Sequence, residues 1–436
     1  MLADLETPTS LFLKLAPFKP AFLLESVVQG EQLGRFSFIG LDPLRKIEYR
    51  GGGLEALIAK ELAAIKPVAA GHRLCNGLVG AVSYEALHEL LPTGRKPQAQ
   101  NDLPLAAFVV PRAVVSFDHV RQRIELVHAD GDGAAKKMLA EIGNVVGKQA
   151  TLPPRGGKYE TPKASLSLDQ FTGMVERAKE HIRAGDIFQV VLSLAFEGKT
   201  DLHPYQVYRA LRHLNPSPYL FYHDFGDYHV IGSSPEALVR LENDRIMIRP
   251  IAGTRPRGKD AAEDAVLEKE LLSDEKENAE HNMLVDLARN DVGRVARVGS
   301  VKVESLRKIE RYSHVMHIVS SVTGSRAETA NCADVFRSAF PAGTLSGAPK
   351  VRACQIIDDL EPTPRGFYGG SCGYFSAQGE MDQAIAIRTI VMHKGRYIAQ
   401  AGAGIVLDSK PESEYAEIQN KAAALLKALE FAATEL

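Results

Sequence analysis

Two pairs of glutamates stand three residues apart on runs with helical apolar spacing: Glu277 and Glu280 in EKENAEHNMLVDLARND, and Glu414 and Glu417 in ESEYAEIQNKAAALLKAL. On a helix, Glu277, Glu280, Leu284 and Leu287 fall on one stripe, so the face that buries the leucines also turns the carboxylates inward. Glu414, Glu417 and Lys421 share a second stripe that continues into Ala424 and Ala428. Carboxylates taken out of water cost several kcal/mol each unless compensated. A hard divalent cation such as Mg²⁺ suits oxygen donors of this kind. A solvated helix face carries the same E-x-x-E pattern with a following lysine, and the spacing alone leaves both readings open.

Three further segments concentrate glycine and small residues: PAGTLSGAPK (341–350), FYGGSCGYF (367–375) and AGAGIV (401–406). Glycine lets backbone approach a ligand, and N–H groups near a helix start hold carboxylates; ordinary turns and tight sheet packing use the same residues. Single groups with chemical capacity stand among them. Glu236 in SSPEAL is a carboxylic acid beside a turn, and Arg388 in IAIRTIV offers a two-pronged fork for a carboxylate. His317 in HVMHIVSSV shares a strand face with Val315 and Val319. Taken singly, they also read as a turn residue, a buried ion-pair partner and a core histidine.

These residues need a scaffold of some size, and the composition supplies it. The 436 residues are 45% hydrophobic and 24% charged, which excludes disorder and predicts two or three domains. Lysine and arginine number 52 against 54 acids, so no basic excess marks a nucleic-acid groove or an anionic membrane surface. Cys75, Cys332, Cys354 and Cys372 lack zinc-ligand spacing and read as reduced thiols. The acidic N-terminus is unlike a signal peptide, and Pro111 and Arg112 interrupt the apolar run of 105–117. A cytoplasmic protein is expected. No GxGxxG follows a strand pattern and no Walker loop occurs, which argues against nucleotide binding.

Strands are predicted at 21–28, 35–41, GLVGAVSY and AAFVV, with a hairpin around Asp118 and His119 and helices at 54–65 and 134–146. This first region, 1–146, is followed by a Gly-, Pro-, Lys- and Thr-rich linker at 147–165. The region 166–436 opens with a helix stopped at Gly185, a strand at 187–196 and a helix at 204–214. The short strands YLFYH, YHVIG, ALVRLE and RIMIRPIAG follow in succession. Strands joined by short turns favour an antiparallel α+β sheet over a βαβ pattern.

In order along the chain, PIAGTRPRG, ENAEHNMLVDLARND, HVMHIVSSVTG, FPAGTLSGAPK and EYAEIQNKA resemble the motifs of the chorismate-utilising enzymes. The likeness is dense over roughly 165–430 and looser before it, and within the family it is strongest to anthranilate synthase large subunits. The resemblance implies an α+β fold of large antiparallel sheets packed as a sandwich with helices outside. It implies a magnesium-dependent lyase that makes anthranilate and pyruvate from chorismate and ammonia, the ammonia coming from a separate glutamine amidotransferase subunit. No GxCxG elbow for a glutaminase nucleophile occurs in this chain. By position, Glu277, Glu280, Glu414 and Glu417 match the metal-binding acids, and Glu236, His317 and Thr344 match catalytic residues. Tyr368, Arg388, Gly402, Gly404 and Lys421 match substrate contacts.

Two positions separate the family members. Gln189 stands where isochorismate and salicylate synthases carry a lysine that activates water, and glutamine cannot take that proton. Ala252 stands where many aminodeoxychorismate synthases carry a lysine; that activity is the alternative reading, followed by a non-catalytic tryptophan-binding regulator. A tryptophan feedback site is implied at Leu24, Glu25, Ser26, Pro218, Tyr219 and Leu220, with Arg35, Cys372 and Tyr374, and the Glu25 carboxylate is expected on the ligand ammonium. Leu220 replaces the usual methionine, a volume-conserving exchange.

Overall fold

The computed structural model describes residues 1–26, 35–68, 74, 76–311 and 315–436. Among these residues nineteen strands join into one sheet whose pairings are all antiparallel. Starting from Val315–Ser325, which pairs with Ile251–Pro256, Lys302–Arg311 and Arg245–Ile248, hydrogen bonding passes through Ala237–Glu242 and Met381–Ile385 to Ser371–Ser376 and Gly77–Val82. It crosses the two long strands Ala106–Asp118 and Phe36–Tyr49. From there it continues through Pro20–Glu25, Tyr219–Asp224, Tyr228–Ser234 and Thr389–His393 to Arg396–Ile405 and Gln189–Lys199.

The fold-back happens within the long strands. Their register slips between Pro43 and Arg45, where Pro43 faces Pro111. Neither proline has an N–H for the ladder. Asp42 takes the left-handed conformation at φ 44°, and its carboxylate accepts from Arg112 Nε at 2.7 Å. Such a bulge bends a strand without ending it. Sequence patterning therefore ends the strand early, at Leu41, and splits AAFVV from AVVSF across Pro111, where the protein keeps one strand each.

Bent at this corner, the sheet faces itself. Ala81, Ala107 and Cys372 from one half pack against Ala195, Phe221, Val230, Val391 and Ile398 from the other. Helices cover the outer faces: Pro204–Leu214, Pro411–Thr434, Leu168–Arg183 and Lys350–Leu360 pack over the half that holds Arg396–Ile405 and Gln189–Lys199, and Cys332–Ala339 packs over Ala237–Glu242 of the other. This is the expected α+β sandwich. The Gly185 stop holds as the left-handed residue, φ 79°, after the cap at Ala184. RIMIRPIAG is two strands divided at Arg249 and Pro250. Val27 and Val28 of the first predicted strand lie outside the described residues.

The strands of 1–146 and of 166–436 belong to the same sheet, through the pairs Leu24↔Phe221 and Cys372↔Ala81. The 147–165 segment between them is laid along an edge: Lys163 and Ala164 pair with Glu197 and Phe196, and Tyr159 with Thr200. Two glycines are required by close packing. The Phe22 ring covers Gly40 opposite it, and the Phe221 ring covers Gly232. A Cβ on Gly40 would stand 1.9 Å from Phe22 Cε1. Gly40→Ala is expected to destabilise the protein by about 1–3 kcal/mol through this overpacking, read as a lower urea midpoint with unchanged m-value.

Candidate active site

Helix Glu275–Gly293 starts at Asp274, whose side chain accepts from Glu277 N, and buries Leu284, Val285 and Ala288. Glu277 and Glu280 are half-buried on its first turns. Helix Pro411–Thr434 buries Ile418, Ala422, Leu425 and Leu429, which leaves Glu417 and Lys421 on the flank at 51% and 52% exposure. The two acidic faces sense each other. Glu280 is pushed above the usual carboxylate range by burial, then by Glu277 on its own helix, with Glu417 of the other helix adding to it. Burial raises Glu414 as well, and Glu417 adds to the effect. Basic groups offset part of the charge: Lys421 Nζ is 2.7 Å from Glu417 Oε1, and Arg255 Nη1 is 3.6 Å from Glu277 Oε1. A surplus of hard oxygen donors on two facing helices fits a hard divalent cation in kind and in charge. Among the described residues, no three carboxylates, imidazoles or thiols stand close enough to hold one ion as the side chains lie.

From these acids a series of contacts leads around one cleft. Gln189, at the start of its strand, hydrogen-bonds Glu280, and its amide occupies the space where a Cβ on Gly404 would fall, 2.4 Å from Nε2. Lys421 Nζ donates to Gly402 O at 3.0 Å. A Cβ on Gly402 would meet the Tyr368 hydroxyl at 2.8 Å, and that hydroxyl has no hydrogen-bond partner among the described residues. Thr344, in the turn Gly343–Leu345, donates to Glu236 Oε1 at 3.2 Å. Glu236 is held by its backbone as well, N to Ser234 Oγ at 3.3 Å and O to Ile385 N at 3.0 Å.

Across the cleft, His317 Nδ1 lies 3.0 Å from both Thr254 Oγ1 and Gly253 O. Burial lowers its pKa, and the Arg388 charge nearby lowers it further. Arg388 has a left-handed backbone, φ 49°, with its carbonyl accepting from Ser233 N at 3.1 Å. Protein walls it in, which lowers its pKa, yet its side chain reaches solvent in the cleft. It has neither hydrogen bond nor ion pair among the described residues. A non-glycine residue held in this conformation costs on the order of 1–3 kcal/mol and occurs most at functional sites. A cation with no partner among the described residues is available to an anion. Enclosure of the Glu236 carboxyl raises its pKa to about 8, against the Thr344 hydrogen bond that favours the charged form. A wide crevice of about 1110 Å³ elsewhere, between Phe12, Tyr205 and Tyr222 and the 148–153 stretch, holds none of these groups.

A carboxyl with a raised pKa, an arginine with no partner among the described residues and two acidic helices are the charged groups brought together here. Comparison with known proteins gives the family. The family model described as "chorismate binding enzyme" matches residues 19–427. The chain belongs to this family. It is 44% identical to an anthranilate synthase component 1 of Acetivibrio thermocellus, covering 98% of this chain and 94% of that one. It is 45% identical to the component 1 of Thermus thermophilus, covering 99% and 97%. The solved structure of anthranilate synthase component I from Streptococcus pneumoniae superposes with TM-score 0.81 at 36% identity, covering 92% and 94%. A menaquinone-specific isochorismate synthase from Escherichia coli shares the fold, with TM-score 0.75 at 21% identity over 96% and 91%.

The residues expected at a feedback site divide between two faces of the sheet. Leu24 packs against the clusters that contain Cys372 and Tyr374, and the Tyr219 hydroxyl donates to Asp382 at 3.1 Å. Glu25 and Leu220, paired across neighbouring strands, point the other way, where Leu220 joins the cluster beneath helix Pro204–Leu214. Glu25, expected on the ligand ammonium, already has partners within the protein. Arg212 binds both of its oxygens at 2.8 and 2.9 Å, and the Tyr208 hydroxyl donates at 2.7 Å. Strand alternation separates Leu24 from Glu25, and burial of a carboxylate demands such partners. Arg35 pairs with Asp118 at 2.9 Å, and Ser26 and Pro218 border these strands.

Sequence reading passed over Thr254 and Gly253 beside His317, Lys276 and Ser409 beside the acids, and Arg365. Only the PIAGT motif carried a signal for the first two. The family's acid role for Glu236 gives a test. Glu236→Gln is expected to lower kcat by roughly 10²–10⁴-fold and to remove the alkaline fall in rate near pH 8. The raised pKa stabilises the folded state fully below the ordinary glutamate range, and this is lost as pH rises through about 8. The variant should therefore lose less stability than wild type between pH 5 and 8, measured by urea titration.

Proposed function

We propose that the chain is the synthase component of an anthranilate synthase, converting chorismate and ammonia to anthranilate, pyruvate and water. The observation that carries the reading is Glu236, an enclosed carboxyl protonated at neutral pH, facing a cleft with an unpaired arginine. Arg388 and Tyr368 grip the pyruvyl carboxylate, the fork of the guanidinium fixing its plane. Thr344 orients Glu236, which passes its proton to the departing C4 hydroxyl so that it leaves as water. Ammonia adds at C2. His317, kept neutral by burial and by Arg388, stands beside the ring without adding charge. Gln189 has no basic nitrogen, so water in its place is not activated.

Glu277, Glu280, Glu414 and Glu417 would hold Mg²⁺, which supplies charge neutralisation for the ring carboxylate when bound. Lys421 and Arg255 balance the acids that the ion leaves in excess. The component 1 relatives imply a partner, read here as a glutamine amidotransferase subunit that delivers ammonia. The purified chain is expected to yield anthranilate fluorescence from chorismate, ammonium and Mg²⁺, and none with glutamine until that subunit is added. EDTA should abolish turnover, and Glu280→Gln should raise the Mg²⁺ concentration required. Full activity in EDTA, or glutaminase activity from the chain alone, would refute the assignment.

Feedback by tryptophan is part of the proposal, with Leu24, Tyr219, Cys372 and Tyr374 around the indole. Here the Glu25–Arg212 pair would serve as a rigid wall instead of the ammonium partner. The chain contains no tryptophan, so bound ligand is its only indole fluorophore. At about 100 times its dissociation constant, tryptophan should stabilise the fold by about 2.7 kcal/mol. Ser26→Phe should abolish that shift while uninhibited synthesis continues; neither shift nor inhibition at millimolar tryptophan would eliminate the feedback site.

A further inference from the structure

Every residue named in the cleft lies at Gln189 or beyond. Tyr84 and Glu85 belong to the first region, 1–146, and follow strand Gly77–Val82, where Val82 pairs with Ser371. They open the single helical turn Tyr84–Ala86, and both are buried. A carboxyl enclosed to this degree, at 5% exposure, needs partners. Glu85 Oε2 shares a hydrogen bond of 2.6 Å with Ser83 Oγ, and Oε1 accepts from Arg365 N at 2.5 Å. Burial lifts the Glu85 pKa to about 7, and Oε1 can accept in either form because a proton has its place on Oε2 against Ser83. Beside this contact, Tyr84 N donates to Gly366 O at 2.8 Å and Gln100 Nε2 to Pro364 O at 2.8 Å. The first region thus holds Pro364, Arg365 and Gly366 in succession by their backbones.

Those residues begin the turn that carries Tyr368. Tyr368 N donates back to Arg365 O at 3.3 Å, and Gly366 inside the turn is left-handed, φ 61°. A Cβ on Gly366 would stand 2.2 Å from Gln100 Oε1, so the first region packs tightly on the turn as well as bonding to it. We propose that Glu85 is a positioning residue for chorismate, holding Arg365 N so that the turn presents the Tyr368 hydroxyl to the pyruvyl carboxylate. The inference rests on the substrate contact given to Tyr368. Without the Glu85 acceptor, the buried Arg365 N–H loses its partner and the turn samples other arrangements. Apparent affinity falls with the fraction of molecules in the binding-competent arrangement. Such a loss weakens substrate and transition state alike, so it raises KM and leaves kcat in place.

Ammonium-dependent anthranilate synthesis by the whole chain provides the test. In Glu85→Gln the amide oxygen can accept from Arg365 N while the NH₂ group gives to Ser83 Oγ, so the KM for chorismate should stay within about twofold of wild type. Glu85→Leu keeps the bulk and removes the acceptor; KM is expected to rise about tenfold, with kcat within about twofold. Combined with Tyr368→Phe, Glu85→Leu should add less than about twofold, because the hydroxyl it would misplace is gone. Should Glu85→Leu not fold, Gln100→Ala releases Pro364 from the same segment and takes its place, with an expected rise of about threefold that also vanishes beside Tyr368→Phe. An unchanged KM in the folded variant, or effects that multiply in the double variant, overturns the proposal. If Tyr368→Phe raises KM in that case, the Tyr368 contact stands and only the role of Glu85 is lost; if Tyr368→Phe leaves KM unchanged, the contact itself is refuted.

Discussion

Every part of the cleft depends on backbone hydrogen bonding that is not interrupted at the corner. The strands Phe36–Tyr49 and Ala106–Asp118 carry the ladder from one half of the sheet to the other, with Pro43 opposite Pro111 at the bend. A break there would leave two edges of unpaired N–H and C=O groups, each a site for unwanted pairing. A bulge costs less. It turns the sheet on itself, and small side chains such as Ala81, Ala107 and Ala195 let the halves approach. Glu236 and Arg388 stand between strands, while Gly402 and Gly404 lie within Arg396–Ile405, and the same ladder fixes all four.

Charge within the cleft is arranged unevenly. Glu277 and Glu417 have basic neighbours, whereas among the described residues Glu236 has no basic partner and Arg388 no carboxylate. Desolvation then acts in opposite senses on the two ends. It drives Glu236 towards its neutral form and lowers the pKa of Arg388, whose side chain still reaches solvent. Opposed environments for titratable groups in one site are what acid catalysis at neutral pH requires.

Beneath this surface lies a second layer of buried ions. Arg365, wholly enclosed, binds both oxygens of Glu361 at 2.7 and 2.8 Å and donates to Leu345 O and Val191 O at 2.6 and 2.7 Å. Its guanidinium lies 4.4 Å from the Tyr84 ring centre and 5.9 Å from that of Tyr368. One cation thus ties together the strand that begins at Gln189, the turn that carries Thr344 and the segment that carries Tyr368. Removing one member of such a pair strands the other and is strongly destabilising, by about 3–5 kcal/mol. Geometry at the substrate-facing residues is held by groups that never meet the substrate.

Much of this was legible in the order of residues. Alternation and turn signals pointed to an antiparallel α+β protein, and the helical stripe placed Glu277 and Glu280 with Leu284. The ordered motifs pointed to the family and to Glu236, His317, Tyr368 and Arg388 together. Those are local or pairwise features, set by backbone periodicity and by side-chain type. The tertiary structure decided what depends on residues far apart in the chain. It made one strand of two across Pro111, because only the corner's packing rewards the bulge. It put Glu25 against Arg212 and away from Leu24, because the pleat sends neighbours to opposite faces. It raised the Glu236 pKa, because desolvation comes from walls supplied by several distant segments, and no local pattern records how deeply a carboxyl will be enclosed.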